Sequence, residues 1–285
     1  MNTTAFIINP NSAHGKYQQF LPAIHRLFPE SPIHISKSKH DTEEFIKSNW
    51  EKIDYFIAIG GDGTVSSIAA LLIHSDKKLG IIPTGSGNGF AKETNFEQNV
   101  IALARKIQSG KSTCIDTFMI NDHFGINVSG VGFDAFVAKE FEKTRRGLIN
   151  YIKVSLRSYF QFKEIPVKGM REDGTVLFQG NFLFVEIANS RQFGNNAFIA
   201  PNASLQDGLL DIILVKKFPW WQSLQFGYQL FAGKILRNPS VEHFSLSVLE
   251  MHTSYTTWHI DGDYIEIQSP VKITIQRNSL RLISD

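Results

Sequence analysis

An α/β domain followed by a β-rich domain is the fold that this sequence predicts, and three observations predict it. Before about residue 120, short apolar runs alternate with helical patterns, which implies a parallel sheet with helices on both faces. Beyond about residue 160, strand-length runs separated by turn residues take over, the pattern of an antiparallel sandwich. The length of 285 residues exceeds what one hydrophobic core usually serves. Two domains are therefore expected, residues 1–120 and 121–285, with the last residues left free to return to the first domain.

Taken in order, Phe6–Ile8 reads as a strand, Gln18–Phe28 as a helix, Ile33–Ile35 as a strand and Thr42–Asn49 as a helix. Tyr55–Ile59 is a strand, a helix opens near Thr64, Leu79–Ile82 is a strand and Val100–Ile107 a helix. In the second half Asn181–Ala188, Leu210–Val215, Val241–Val248, Thr256–Ile260 and Val271–Gln276 read as strands. Helical stretches at Phe136–Phe162 and Trp220–Leu236 interrupt them. Ligands of open parallel sheets bind beyond the carboxyl ends of the strands, so the turns after those strands are the first places to look for chemistry.

Gly60-Gly61-Asp62-Gly63-Thr64-Val65 is such a turn, following Tyr55–Ile59 directly and running into a helix. The backbone N–H groups of a strand-to-helix turn lie beside the positive end of the helix dipole, and glycines let a phosphate approach them. Asp62 would repel that phosphate unless a cation or a transferring proton sits between them. The alternative is a tight turn with Asp62 as helix cap. Two further turns fall at strand ends: Asn9-Pro10-Asn11-Ser12-Ala13-His14-Gly15-Lys16, and Pro83 through Lys92 with its Gly85-Ser86-Gly87-Asn88 core. Three turns at one sheet edge can surround one triphosphate. Gly110-Lys111-Ser112 is not a P-loop, because Arg105 stands where the first glycine belongs. Gly130-Val131-Gly132-Phe133-Asp134-Ala135 fits the loose dinucleotide pattern, but at the domain junction and not in the first βα turn.

Composition narrows the classes. An apolar fraction of 42% with 20% charged residues describes a soluble globular chain. A net charge of +2 gives no ground for nucleic acid as a partner. The single Cys114 excludes a disulfide framework and fits a reducing cytoplasm. The N-terminal residues lack a signal-peptide pattern, and no stretch reaches the ~18 apolar residues of a membrane span.

At these residues the chain resembles the diacylglycerol kinase catalytic family, which includes bacterial lipid kinases and sphingosine kinases. The resemblance rests on Asn9-Pro10 with Ser12, Gly60–Thr64, Gly85–Asn88, Gly132 with Asp134-Ala135, Ile199-Ala200-Pro201, Asp207-Gly208-Leu209-Leu210-Asp211 and Asp261-Gly262-Asp263. It implies an ATP- and Mg²⁺-dependent kinase acting on the hydroxyl of a membrane-derived lipid, diacylglycerol or a sphingoid base. By the same resemblance the ATP site takes Asn9, Pro10, Asn11, Ser12, Ala13, Ser36, Gly60, Gly61, Asp62, Gly63, Thr64, Val65, Ser66, Gly85, Ser86 and Asn88. Asp62 and Asp116 belong to a water and magnesium network. Asp263, with Asp261 beside it, stands in the place of the family's general base. Ser204, Asp207 and Leu209 resemble a structural metal site of bacterial members. Three residues depart from the family pattern: Asp263 is one methylene shorter than the usual Glu, Gly89 replaces an Asp, and Gln206 replaces an acid.

Phosphoryl transfer needs these residue types because catalysis there is mostly positioning and charge neutralisation, with a carboxylate to take the acceptor's proton. Asp261-Gly262-Asp263 is also the signature of a hairpin turn, and both readings can hold. Lys216-Lys217-Phe218-Pro219-Trp220-Trp221 opens a stretch with Leu224, Tyr228, Phe231 and Ile235 at helical spacing, followed by Lys234 and Arg237. Lys143, Arg145, Arg146, Lys153 and Arg157 lie on a second amphipathic stretch. Both suit a lipid interface or, equally, packing on the β domain. The expected location is cytoplasmic, with peripheral contact at the inner membrane face. The competing readings are a kinase of NAD or another soluble alcohol, and a nucleotide-binding regulator without turnover.

Overall fold

The computed structural model describes residues 3–141 and 148–285. The chain forms two compact units, Met1–Asp116 with Arg277–Asp285, and Thr117–Gln276.

The first unit is the mixed α/β domain. Its elements run β1 (Thr4–Ile8), α1 (Leu21–Leu27), β2 (Ile33–Ile35), α2 (Lys39–Ser48), β3 (Tyr55–Gly60), α3 (Asp62–Leu72), β4 (Lys78–Pro83), α4 (Gly89–Glu93) and α5 (Val100–Ser109). The strands lie in the order β2-β1-β3-β4, all parallel, with Phe6 opposite Ile57 and Ile57 opposite Gly80. Every residue of β1 and β3 is buried, which is why both read as unbroken apolar runs and not as alternating ones. The final strand of the chain, Val271–Ile283, ends in this sheet, where Arg281 and Leu282 pair in parallel with Lys78 and Leu79. Local signals fix the helix ends. The Ser38 side chain accepts from Asp41 N at the start of α2, and Asn99 accepts from Ile101 N and Ala102 N at the start of α5. Gly110, at φ +68°, closes α5 in the left-handed conformation.

The second unit is β-rich. The chain enters it along β5 (Ser112–Ile120) and continues through β6 (His123–Gly125), β7 (Val128–Gly132), α6 (Phe133–Phe141), α7 (Leu148–Tyr159), β8 (Ile165–Met170), β9 (Val176–Phe182), β10 (Phe184–Ala188) and β11 (Leu210–Val215). There follow α8 (Ser223–Phe231), β12 (Val241–Leu246), β13 (Val248–Thr253), β14 (Thr257–Ile260), β15 (Asp263–Glu266) and β16, the Val271–Ile283 strand. One sheet has the antiparallel order β12-β11-β10-β7-β14-β15, and in the other β16, β13, β8 and β9 pair antiparallel in turn. Inward residues of both sheets make one core, with Phe118, Val131, Phe182, Val185, Trp258 and Ile273 among its members.

Several elements differ from the sequence expectation. Asn181–Ala188 is not one strand: β9 pairs with β8, Leu183 follows, and β10 pairs with β7 and β11 in the other sheet. Val241–Val248 divides at Ser247 in the same way, β12 and β13 serving different sheets. Neither the largely apolar Asn181–Ala188 nor the alternating Val241–Val248 carries a mark of the residue where the chain changes sheets. Ser12–Phe20 forms a 3₁₀ segment, so the first α-helix starts at Leu21, next to Pro22. The glycines of Gly130-Val131-Gly132 lie within strand β7 of an antiparallel sheet, which removes the dinucleotide reading. Among the described residues no helix is long and apolar enough to cross a membrane. Lys143, Arg145 and Arg146 lie outside the described residues.

Candidate active site

The turns after β1, β3 and β4 are bonded into one another. Asn9 N donates to Ile59 O at 3.0 Å, and Asn9 Nδ2 donates to Thr64 Oγ1 at 3.0 Å. Asn9 Oδ1 also accepts from Asn11 N, which folds the first turn back on itself. Ser12 Oγ and Thr84 Oγ1 are 2.8 Å apart, joining the first turn to the third. Thr84 N donates to Gly60 O at 2.8 Å, joining the third to the second. A Cβ on Gly85 would lie 2.7 Å from Gly61 Cα, so the second and third turns approach at a distance only glycines permit. Asn88 holds the third turn's shape at φ +50°, with Oδ1 accepting from Gly85 N and Nδ2 donating to Gly85 O, both at 2.8 Å.

Asp62 is the first residue of α3, and the cap position belongs to Gly61, which makes no side-chain cap. The cap alternative for Asp62 therefore falls. Its carboxylate accepts from Phe90 N, at 3.3 Å, in the turn after β4. Burial raises its pKa above the usual carboxylate range, against the pull of the N–H groups of Phe90, Gly89 and Asn88. A half-buried carboxylate at a helix start, ringed by glycines and amides, suits a site where cation and phosphate meet. Pro10, Gly85 and Ser86 lie in the same turns, with Ser86 exposed, and Gly63 and Ser66 lie in the first residues of α3, whereas the Val65 side chain is in the core at 2% exposure.

The other first-unit candidates are placed apart from these bonds. Ser36 directly follows β2, its hydroxyl bonded to Thr42 Oγ1 at 2.7 Å. Asp116 is buried on β5 and accepts from Asn278 N at 2.7 Å.

In the second unit the Asp261-Gly262 pair forms the two-residue turn between β14 and β15, at φ +51° and +92°, with Ile260 opposite Asp263. The two acids differ in kind. Asp261 accepts from Ile126 N at 3.1 Å and from Asn127 N at 2.8 Å, so it holds the hairpin to the preceding segment. Asp263 is exposed at the start of β15. Asp207 is exposed and accepts from Leu209 N at 3.0 Å, while Ser204 Oγ accepts from Gln206 N at 3.3 Å.

One group escaped the sequence reading. Glu186 on β10 and His259 on β14 both stand opposite Gly130 on the intervening β7. With no side chain at Gly130, Glu186 Oε2 and His259 Nε2 meet at 3.0 Å, and Asp134 Oδ2 joins the same nitrogen at 3.1 Å. Burial pushes Glu186 up to about 8, against the pull of His259. Burial alone would depress His259, but Glu186 and Asp134 hold it up to about 10. The available signal was Glu186 itself, a lone acid inside the apolar run Phe184-Val185-Glu186-Ile187.

Comparison with known proteins gives a consistent result. Residues 3–120 match the diacylglycerol kinase catalytic domain, and residues 127–284 match the YegS C-terminal NAD kinase beta sandwich-like domain. A diacylglycerol kinase of Mycobacterium tuberculosis is 28% identical over 239 residues, covering 81% of this chain and 77% of that protein. A diacylglycerol kinase of Bacillus subtilis is 22% identical, covering 93% of this chain and 90% of that protein. The crystal structure of a diacylglycerol kinase from Bacillus anthracis superposes with a TM-score of 0.75 at 22% identity, over 100% of this chain and 97% of that one.

Proposed function

The chain belongs to the bacterial lipid-kinase family of diacylglycerol kinase and YegS-like proteins, and we propose that it transfers the γ-phosphoryl group of ATP to the hydroxyl of a membrane-derived lipid. Diacylglycerol or a sphingoid base is the acceptor class. The observation that carries the reading is the joining of the three turns by the Asn9–Thr64, Ser12–Thr84 and Thr84–Gly60 hydrogen bonds and by the close approach of Gly61 and Gly85. Three independently flexible loops would have to be ordered on binding. Loops already fixed to each other present their amides in place, the positioning that phosphoryl transfer chiefly requires.

In this reading the amides of Gly60 through Ser66 and of Gly85 through Asn88 take the phosphates, and Asn9 through Ala13 and Ser36 line the rest of the nucleotide site. Asp62, a half-buried carboxylate among the phosphate turns, fits a hard cation, and Asp116, buried on β5 where it accepts from Asn278 N, is assigned to the same network by the family resemblance. Magnesium bound there supplies charge neutralisation on the triphosphate. Asp263 is the base that accepts the lipid hydroxyl's proton, and its exposure leaves the carboxylate free for that contact. Asp261 orients the hairpin that carries it. Asp207, with the carbonyls near Ser204 and Leu209, is proposed as a separate structural cation site.

The lipid has to be met at a membrane, and one surface suits that meeting. Phe226 and Leu230 of α8 pack on the core of the second unit, and Phe218 stacks on Phe226 at 4.8 Å. The outer side exposes Trp220 (61%), Trp221 (65%), Leu224 (87%), Tyr228 (65%) and Phe231 (43%). Lys216, Lys217, Lys234 and Arg237 flank them, and no Asp or Glu falls between Lys216 and Arg237. Aromatic side chains between cations are the composition of a helix lying in an anionic lipid interface. Transfer of labelled phosphate from ATP to a panel of lipids, with NAD as the soluble alternative, tests the reading.

A further inference from the structure

We propose that Asp134, Glu186 and His259 form a binding site for one divalent first-row transition ion, Zn²⁺ or Mn²⁺, inside the β-rich unit. The ligand atoms of all three residues lie within 4.8 Å of one another. The convergence on one nitrogen is the telling feature. His259 Nε2 is 3.0 Å from Glu186 Oε2 and 3.1 Å from Asp134 Oδ2. A single N–H proton points well at one acceptor, not two, whereas a cation bonds to all three donors at once. An imidazole that only neutralised two carboxylates would gain more by offering one ring nitrogen to each.

The burial supports the same conclusion. Glu186 is 0% exposed and His259 2%, and Glu186 Oε1 has no hydrogen-bond partner. An unsatisfied carboxylate oxygen in the interior is costly. Coordination through both oxygens of Glu186 would satisfy it. The charges also balance: two carboxylates with a neutral imidazole match a divalent ion, which leaves no net buried charge. The backbone makes room for the group. A Cβ at residue 130 would lie 2.3 Å from Glu186 Oε2, so a glycine on the middle strand is what lets side chains from β10 and β14 meet across it. Mixed imidazole and carboxylate donors favour Zn²⁺ or Mn²⁺ over Mg²⁺ and Ca²⁺, which take oxygen ligands. The ion would tie β10 and α6 to β14, the strand that leads into Asp261 and Asp263. None of this rests on the kinase reading, and failure of the site leaves that reading untouched.

The test uses the full chain, stripped with EDTA, then dialysed separately against Zn²⁺, Mn²⁺ and Mg²⁺, with metal per chain measured by mass spectrometry and melting followed in parallel. The expected result is an equivalent of Zn²⁺ or Mn²⁺ that wild-type protein retains and Asp134→Asn protein lacks, with a rise in melting temperature that EDTA reverses, whereas Mg²⁺ held at the Asp207 and phosphate sites is the same in both proteins. His259→Gln and Asp134→Asn should each weaken binding at least about tenfold. Asp207→Ala should keep the full equivalent. Asp134 lies at the rim, with 18% of its side chain exposed, so its variant decides the question should the His259 variant not fold. Folded wild-type protein that binds no Zn²⁺ or Mn²⁺, or binding unchanged in Asp134→Asn, overturns the site.

Discussion

Asn9 Nδ2 lies 3.0 Å from Thr64 Oγ1, so the turn after the first strand is tied to the first turn of the helix after the third. The same economy of space brings Gly61 and Gly85 backbone to backbone. Gly85→Ala should therefore act on ATP and not on the core. The new methyl meets Gly61 Cα, which is main chain and cannot rotate away, so one turn must move. Misplacement on the ångström scale costs on the order of 10²-fold in such sites. Ser12→Ala removes only one hydroxyl bond to Thr84, worth about 1 kcal/mol, or roughly fivefold. Calorimetric ATP titration of both variants checks the ranking; equal effects would mean that the glycine contact does not set the site's shape.

Asp62→Asn should lower turnover by about 10²–10³, the usual cost of one electrostatic contributor to the transition state. An amide oxygen can still accept from Phe90 N, so the melting curve should stay close to wild type. Near-wild-type turnover in a normally folded variant would leave Asp62 a purely local role in joining two turns.

Much of this was legible in the sequence, and the limits are physical. The strands β1, β3 and β4 are buried on both faces, so continuous apolar runs announced them, and clustered glycines marked the turns after β3 and β4. What binds the turns together was not legible. Asn9 and Thr64 are 55 residues apart, and no local pattern encodes that bond. The Glu186–Gly130–His259 alignment was hidden for the same reason, since register across three strands is a property of the assembled sheet. Gly130 matched the loose dinucleotide pattern, which its place at the domain junction argued against, because local spacing cannot distinguish a turn glycine from one that vacates a strand position.

Asp261 and Asp263 should separate cleanly. Asp261→Ala leaves Ile126 N and Asn127 N without their carboxylate, a loss of about 1–3 kcal/mol that should appear as a lower melting temperature. Asp263→Ala should leave melting unchanged and abolish transfer while ATP still binds, and Asp263→Glu should retain activity. Transfer that survives Asp263→Ala removes the base assignment.

Trp220→Ala combined with Trp221→Ala should weaken binding to anionic liposomes, because the two rings are 61% and 65% exposed and contribute little to packing. Activity on a short-chain soluble lipid should be unaffected. Sedimentation with vesicles and parallel assays on both substrates distinguish the outcomes; equal loss on both would mean damaged packing, and the docking role of α8 would be dropped.

Phosphoryl transfer from ATP to a lipid hydroxyl is read out by thin-layer separation of products after incubation with γ-labelled ATP and magnesium. Diacylglycerol, a sphingoid base and NAD are offered in parallel, with Asp62→Asn protein as the control. Label on a lipid with wild-type protein, and its loss with the variant, is the predicted result. Label on NAD alone, or ATP binding with no transfer to any acceptor, would mean that the protein is not a lipid kinase.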